Sequence, residues 1–256
     1  MLSDTHCHIH SRDFPLEAET VLAAALNEGV DNLICVGTDA ADSRMAAEFA
    51  DKHEHCWASV GLHPHDAKAG AKPFKELRVL LSDAELSPRI VAIGECGLDY
   101  YYDYSPRAQQ QAAFQSQLEL AVEFDLPLIF HVRQAFADFW RIMADFPDVR
   151  GVIHSFSGNP AELKPLLERG FFIGLNGIMT FTKNDFQLAA AKAIPLKQLL
   201  LETDAPFLTP VPIRGKVNEP RYVAFVASFL AELRQERLSV LAKTTSNNAA
   251  KLFKFK

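Results

Sequence analysis

Short apolar runs alternate with stretches of helical period along most of this chain. Leu2 to His8 opens as an extended segment. Glu17 to Glu28 follows with Ala18, Val21, Leu22, Ala25 and Leu26 at helical spacing, and Gly29 suits the residue just past a helix end. The apolar runs recur at Leu33–Gly37, Trp57–Gly61, Ile90–Gly94, Leu128–Phe130, Gly151–Ile153, Phe171–Gly174 and Leu199–Leu201. Between them, helices are expected over Asp39–Lys52, Phe74–Leu86, Gln134–Asp145 and Asn184–Ala193. Ser105-Pro106 has the form of an N-cap followed by proline at the first helical position. It predicts a long helix to about Phe124, with Phe114, Leu118, Ala121 and Val122 on one stripe. Asn159-Pro160 repeats the signal for a helix ending at Gly170, and two amphipathic segments, Glu219–Arg234 and Glu236–Leu252, close the chain.

About eight strand–helix units in this length fit a (β/α)₈ TIM barrel of the α/β class. The strands read as continuous apolar runs, as they do when both faces are buried. No Gly/Ser-rich linker or shift in composition marks a boundary, so residues 1–256 read as a single barrel domain. A doubly wound open sheet uses the same alternation and is the structural alternative.

The polar residues favour the barrel, because its active sites lie at the C-terminal ends of the strands. At those ends stand His6 and His8 after the first strand, then His63 past the third, Glu95 after the fourth, His131 after the fifth, His154 after the sixth and Asp204 after the eighth. In an extended strand, side chains two apart share a face, so His6 and His8 project together and Cys7 turns away. A closed barrel would gather all these groups. Imidazoles with carboxylates suit Zn²⁺ and other divalent first-row ions. The donors exceed what one tetrahedral ion takes, and a two-metal site with a bridging carboxylate would use them.

Composition narrows the partners. With 48% hydrophobic and 23% charged residues the chain can build a packed core, and its net charge of −6 argues against broad phosphate neutralisation. A nucleic-acid enzyme that meets phosphate through bound cations is still admitted, since the ions dominate their own site. No apolar run is long enough to span a membrane, and Met1-Leu2-Ser3-Asp4 lacks the features of a signal peptide. Cys7, Cys35, Cys56 and Cys96 show no CxxC spacing and read as buried free thiols of a cytoplasmic protein.

Several motifs together carry a family resemblance. They are Asp4-Thr5-His6-Cys7-His8, Gly61-Leu62-His63-Pro64, Gly94-Glu95-Cys96-Gly97-Leu98-Asp99-Tyr100, His131-Val132-Arg133, His154-Ser155-Phe156-Ser157-Gly158 and Glu202-Thr203-Asp204-Ala205-Pro206. The loop Pro210–Pro220 and Thr244-Thr245-Ser246-Asn247 add to them. In this order, over essentially the whole chain, the sequence resembles the TatD-like, metal-dependent deoxyribonucleases of the amidohydrolase-type barrels.

The resemblance implies a hydrolase of phosphodiesters, acting on DNA as an exonuclease, with two divalent ions (Zn²⁺, Mg²⁺ or Mn²⁺) that activate a water. His6, His8 and Asp204 would bind one ion, His131 and His154 the other, and Glu95 would bridge them. By the chemistry of the residues, Asp204 would be the general base, and His63, Arg133 and Arg214 are candidates for holding the phosphate, with a carboxylate partner the alternative for Arg133 and plain exposure for Arg214. Tyr100, Tyr101, Tyr102 and Tyr104 could stack on splayed bases, packing within the core or loop being the more frequent use of such a cluster. The expected protein is a monomer with no membrane and no obligate protein partner. Two other readings use the same residues. One is a metal-dependent hydrolase of another ester or amide bond, such as an aminoacyl-tRNA deacylase or an amidohydrolase. The other is a non-catalytic barrel that binds without turnover.

Overall fold

The computed structural model describes residues 1–255. In its first half come β1 (Leu2–Cys7), α1 (Ala18–Asn27), β2 (Val30–Val36), α2 (Ala40–Lys52), β3 (Cys56–Val60), α3 (Lys72–Leu81), β4 (Ile90–Asp99), α4 (Arg107–Glu123) and β5 (Leu128–Arg133). The second half holds α5 (Phe136–Met143), β6 (Gly151–Ile153), α6 (Pro160–Glu168), β7 (Phe172–Leu175), α7 (Ile178–Phe181), α8 (Asp185–Ala193), β8 (Leu199–Leu201), α9 (Val223–Arg234) and α10 (Leu238–Phe253). One eight-stranded sheet runs in sequence order from β1 to β8. The pairings β3–β4, β4–β5, β5–β6 and β7–β8 are parallel. A parallel bridge joins Cys7, at the end of β1, to Ala205 beyond β8. Parallel strands in this order, with helices between them, make a (β/α)₈ barrel. A doubly wound sheet would instead reverse its strand order at a switch point.

The chain groups into two compact units, Cys35–His154 and Met1–Ile34 with Ser155 onward. In the unit Cys35–His154, Asp39 caps α2 by accepting from the backbone of Ala41 and Asp42. β4 is longer than its apolar run suggests. It continues through Glu95 to Asp99, with its register against β5 shifting between Ile93 and Cys96. Glu95 therefore stands inside a strand rather than after one.

Behind β5, Phe114 of α4 stacks on Phe139 of α5 at 5.7 Å, and Phe130 meets both edge-on at 6.0 and 5.4 Å. All three rings are fully buried. Val122 was expected on this stripe but is 61% exposed, because the buried face of α4 ends at Ala121.

The start of α4 also departs from expectation. Pro106 takes the N-cap place and Arg107 begins the helix, without a side-chain cap. Ser105 is engaged elsewhere: its hydroxyl donates to the His65 carbonyl and accepts from the Lys68 amide. Two glutamines of α4 reach inward from the helix. Gln110 accepts from the Asp99 amide and donates to the carbonyls of Asp99 and Ser105. Gln117 accepts from the Leu62 amide and donates to the Leu62 carbonyl.

In the unit containing both ends of the chain, α6 starts with a full capping box between Asn159 and Glu162 and stops before Gly170, whose φ is +83°. Asn248 of α10 donates to the carbonyls of Leu196 and Leu199 and so fixes the entry to β8. Asp4 of β1 is buried. It accepts from the Thr203 amide at 2.8 Å and from the Thr203 hydroxyl, tying β1 to the residues that follow β8.

The phenylalanine cluster backs the strand that carries His131. Phe139→Ala is expected to cost roughly 3–5 kcal/mol in stability, read as a lower denaturant midpoint. A loss below about 1 kcal/mol would show that the cavity collapses and that the rings do not support β5.

Candidate metal centre

The unit containing the chain ends brings three donors together. His6, fully buried at the end of β1, and His8 just beyond it present their Nε2 atoms 3.3 Å apart. Asp204 Oδ1 lies 3.7 Å from His6 Nε2 and 3.4 Å from His8 Nε2. One ligand atom from each residue falls within 4.8 Å of the others. Asp204 reaches this place with a left-handed backbone, φ 62°, a conformation aspartate tolerates better than most residues. Its amide donates to the His6 carbonyl at 2.8 Å. Asn218 steadies the same segment by donating to the carbonyls of Thr203 and Phe207. Burial pushes the Asp4 carboxyl up to about 8 against the opposing hydrogen bonds from Thr203 and His6, and the nearby Glu202 adds to the rise.

The unit Cys35–His154 holds a second cluster. Glu95 Oε1 lies 2.6 Å from His131 Nδ1, 3.5 Å from His63 Nε2 and 3.9 Å from His154 Nε2. Glu95, His63 and His131 each offer an atom within 4.8 Å of the others. The far side of the His131 ring meets Asp99, whose Oδ2 is 3.1 Å from His131 Nε2 and 2.9 Å from His65 Nε2. Burial alone would lower the pKa of His131. The hydrogen bonds to Asp99 and Glu95 outweigh it and raise the value to about 9. Asp99 is held well below the usual carboxylate range: its burial is overcome by His131, the Tyr102 amide and His65. At His63, burial wins and lowers the pKa despite Glu95. An imidazole between two carboxylates, one facing the donor cluster and one behind, is the arrangement that orients a metal-ligating histidine. Imidazole nitrogens and carboxylate oxygens at these separations fit a divalent ion in either cluster.

Over residues 3–254 the sequence matches the family described as TatD related DNase. The chain belongs to this family. Among its relatives is a Bacillus subtilis protein named "Uncharacterized metal-dependent hydrolase YabD", 36% identical over 99% of both chains. Another is the "3'-5' ssDNA/RNA exonuclease TatD" of Cronobacter sakazakii, 36% identical over 98% of this chain and 97% of that one. Among solved structures, the TatD homologue YjjV of Escherichia coli superposes with a TM-score of 0.91. It is 31% identical and is covered over 98% of its length by 99% of this chain.

The structure sorts the residues expected for this TatD site. His6, His8 and Asp204 converge in one unit, and Glu95, His131 and His154 in the other. His63, expected against phosphate, stands at ligand range of Glu95. Arg133 is exposed and makes no ion pair among the described residues; its guanidinium lies 4.1 Å from the ring centre of Tyr101 and 4.8 Å from that of Tyr102. Arg214 rests over Phe181 at 3.9 Å and donates to the Thr209 carbonyl in its own loop.

Several residues that shape the clusters went unassigned in the sequence. Asp99 had a signal: positions 95, 97 and 99 of an extended strand share a face, so Asp99 follows Glu95 along the same side. Asp4 and Asn218 stand in segments that carry the family resemblance, but without a role there; Gln110 and Gln117 had no signal, since each acts on backbone away from its own turn.

Gly97 pairs with His131 across the β4–β5 ladder, with φ +139°. A Cβ there would lie 2.1 Å from the His131 carbonyl oxygen. Gly97→Ala is therefore expected to push β5 away and lower metal uptake at least tenfold, measured by titration of the metal-stripped protein. Unchanged uptake in the folded variant would separate this contact from the ligand geometry.

Proposed function

We propose that this chain is a metal-dependent nuclease that hydrolyses the phosphodiester bonds of DNA from a strand end, in one hydrolase domain over residues 1–256. The observation that carries the reading is the pair of histidine–carboxylate clusters in a member of the TatD family. His6, His8 and Asp204 would hold one divalent ion, and His131 and His154, with Glu95 beside them, a second. Such ions, Zn²⁺, Mg²⁺ or Mn²⁺, lower the pKa of a bound water and offset charge that builds on the phosphoryl oxygens.

The remaining chemistry belongs to the side chains. Asp204 accepts the proton of the attacking water, and its hydrogen-bonded backbone holds that carboxylate in place. Asp99 keeps the His131 ring turned toward Glu95. Arg133 offers forked N–H donors to the phosphate from a fixed position over Tyr101, and Arg214 and His63 are further candidates for that contact. A monomer without an obligate protein partner, located in the cytoplasm, belongs to the same proposal. Four buried free cysteines fit a reducing compartment. Among the described residues, no helix is long and apolar enough to cross a membrane.

The test is an assay on end-labelled single- and double-stranded DNA, using metal-stripped protein reloaded with Mg²⁺, Mn²⁺ or Zn²⁺. Stripped protein is expected to be inactive and reloading to restore cleavage; cleavage that survives chelation would refute the metal requirement. Asp204→Asn is expected to lower the rate by roughly 10²–10⁴-fold with the fold intact by circular dichroism. Faster turnover of aminoacyl-tRNA or small esters than of DNA would move the activity to another bond.

A further inference from the structure

Between β4 and α4, the loop Tyr100–Tyr104 sets three aromatic rings in solvent beside the Glu95–His131 cluster. Tyr101, Tyr102 and Tyr104 are 54%, 46% and 59% exposed. Tyr102 and Tyr104 stack on each other, with centroids 5.3 Å apart and planes within 17°. His65 meets both edge-on, at 5.6 and 4.7 Å. Tyr100 is different in kind. Its hydroxyl donates to Asp138 and accepts from Gln111, and Arg107 covers its ring at 4.3 Å. It is a structural residue of the loop.

The exposed rings are held rather than loose. The amides of Tyr101 and Tyr102 both donate to Asp99 Oδ1, at 2.9 and 3.0 Å. Ser105, at the other end of the loop, is fixed by Gln110 and by the His65 carbonyl. Adjacent rings exposed in fixed positions have little left to lose in conformational entropy when a flat ligand settles on them. The surrounding charge suits a polyanion. Arg133 lies against Tyr101 and Tyr102, and Arg107 stands over Tyr100 with Asp103 at 3.9 Å as its acidic neighbour. Aromatic faces interleaved with guanidinium groups are the chemistry that binds unpaired bases with their phosphates.

We infer that Tyr101, Tyr102 and Tyr104 form a stacking platform for unpaired nucleobases next to the cleaved phosphate, with Arg133 spanning base and backbone. This rests on the nuclease reading and adds to it a mode of recognition: the platform grips a base by its face, in any sequence, and only after that base has left a duplex. Asp99 places the platform, since one of its oxygens holds the loop and the other the His131 ring.

The experiment crosses the protein with the base. Single-stranded oligonucleotides carrying either a normal terminal nucleotide or an abasic one, at either end, are offered to the parent protein, to Tyr102→Ala/Tyr104→Ala and to the corresponding double phenylalanine variant. The parent is expected to show a KM about tenfold lower for the normal strand, the alanine variant to lose that difference, and the phenylalanine variant to keep it. Equal KM values for both strands in the parent, or equal losses on both strands in the alanine variant, would overturn the platform. So would a KM for blunt duplex as low as for the single strand.

Fluorescence of a single strand with terminal 2-aminopurine provides a readout without turnover. Quenching by the metal-stripped parent, lost in the alanine variant and kept in the phenylalanine variant, supports stacking even if no strand is cut. Cleavage without quenching refutes the platform and spares the nuclease.

Discussion

Asp4 and Thr203 are separated by 199 residues, and the hydrogen bonds between them decide where the opening histidines can go. β1 meets that distant segment only by closing a long stretch of chain, so a firm contact must hold the two together. A buried carboxyl group that accepts from both an amide and a hydroxyl provides that hold. Breaking it would leave the acid desolvated and unsatisfied, which costs more than the bonds themselves contribute. With β1 fixed to the residues after β8, the Asp204 amide meets the His6 carbonyl, and the three donors of that cluster follow.

The unit Cys35–His154 uses polar struts for the same purpose. Gln110 and Gln117 lie seven residues apart on α4, about two helical turns, so both point from the same face. One satisfies the backbone of Asp99 and the other that of Leu62, immediately before His63. Buried amides are costly unless paired, and here each is paired with main chain that a parallel strand end would otherwise leave without a partner. The phenylalanine cluster supplies the apolar half of the support behind β5. The candidate donors therefore stand on hydrogen-bonded backbone braced from behind, which is what a site needs to keep donors at fixed separations.

Much of this was legible in the sequence, for identifiable reasons. Strand–helix alternation is a local signal, and His6, His8, Glu95, His131, His154 and Asp204 announce themselves by standing where apolar runs stop. The length of β4 was not legible: Glu95-Cys96-Gly97 breaks the apolar run, yet the ladder with β5 continues to Asp99. Ser105 imitated a helix cap because the local pattern was right, while its hydroxyl had a distant partner in the His65 carbonyl. Val122 fitted the helical period but lay one step past the buried face. Long-range hydrogen bonds, such as those of Asn218 and Gln117, leave no periodic trace and appear only in three dimensions.

The divided carboxylate of Asp99 has a thermodynamic consequence. Its Oδ1 is committed to the backbone of the tyrosine loop and its Oδ2 to the imidazoles of His131 and His65. A rigid group shared in this way couples what happens on its two sides. Whatever free energy a base on the tyrosines contributes toward one setting of that carboxylate is felt at His131. The same energy must then appear in reverse when a cation fixes His131, because coupling between two binding events is mutual. If a cation and a strand bind there, each would change the hold on the other by the same factor, although no atom need pass between them.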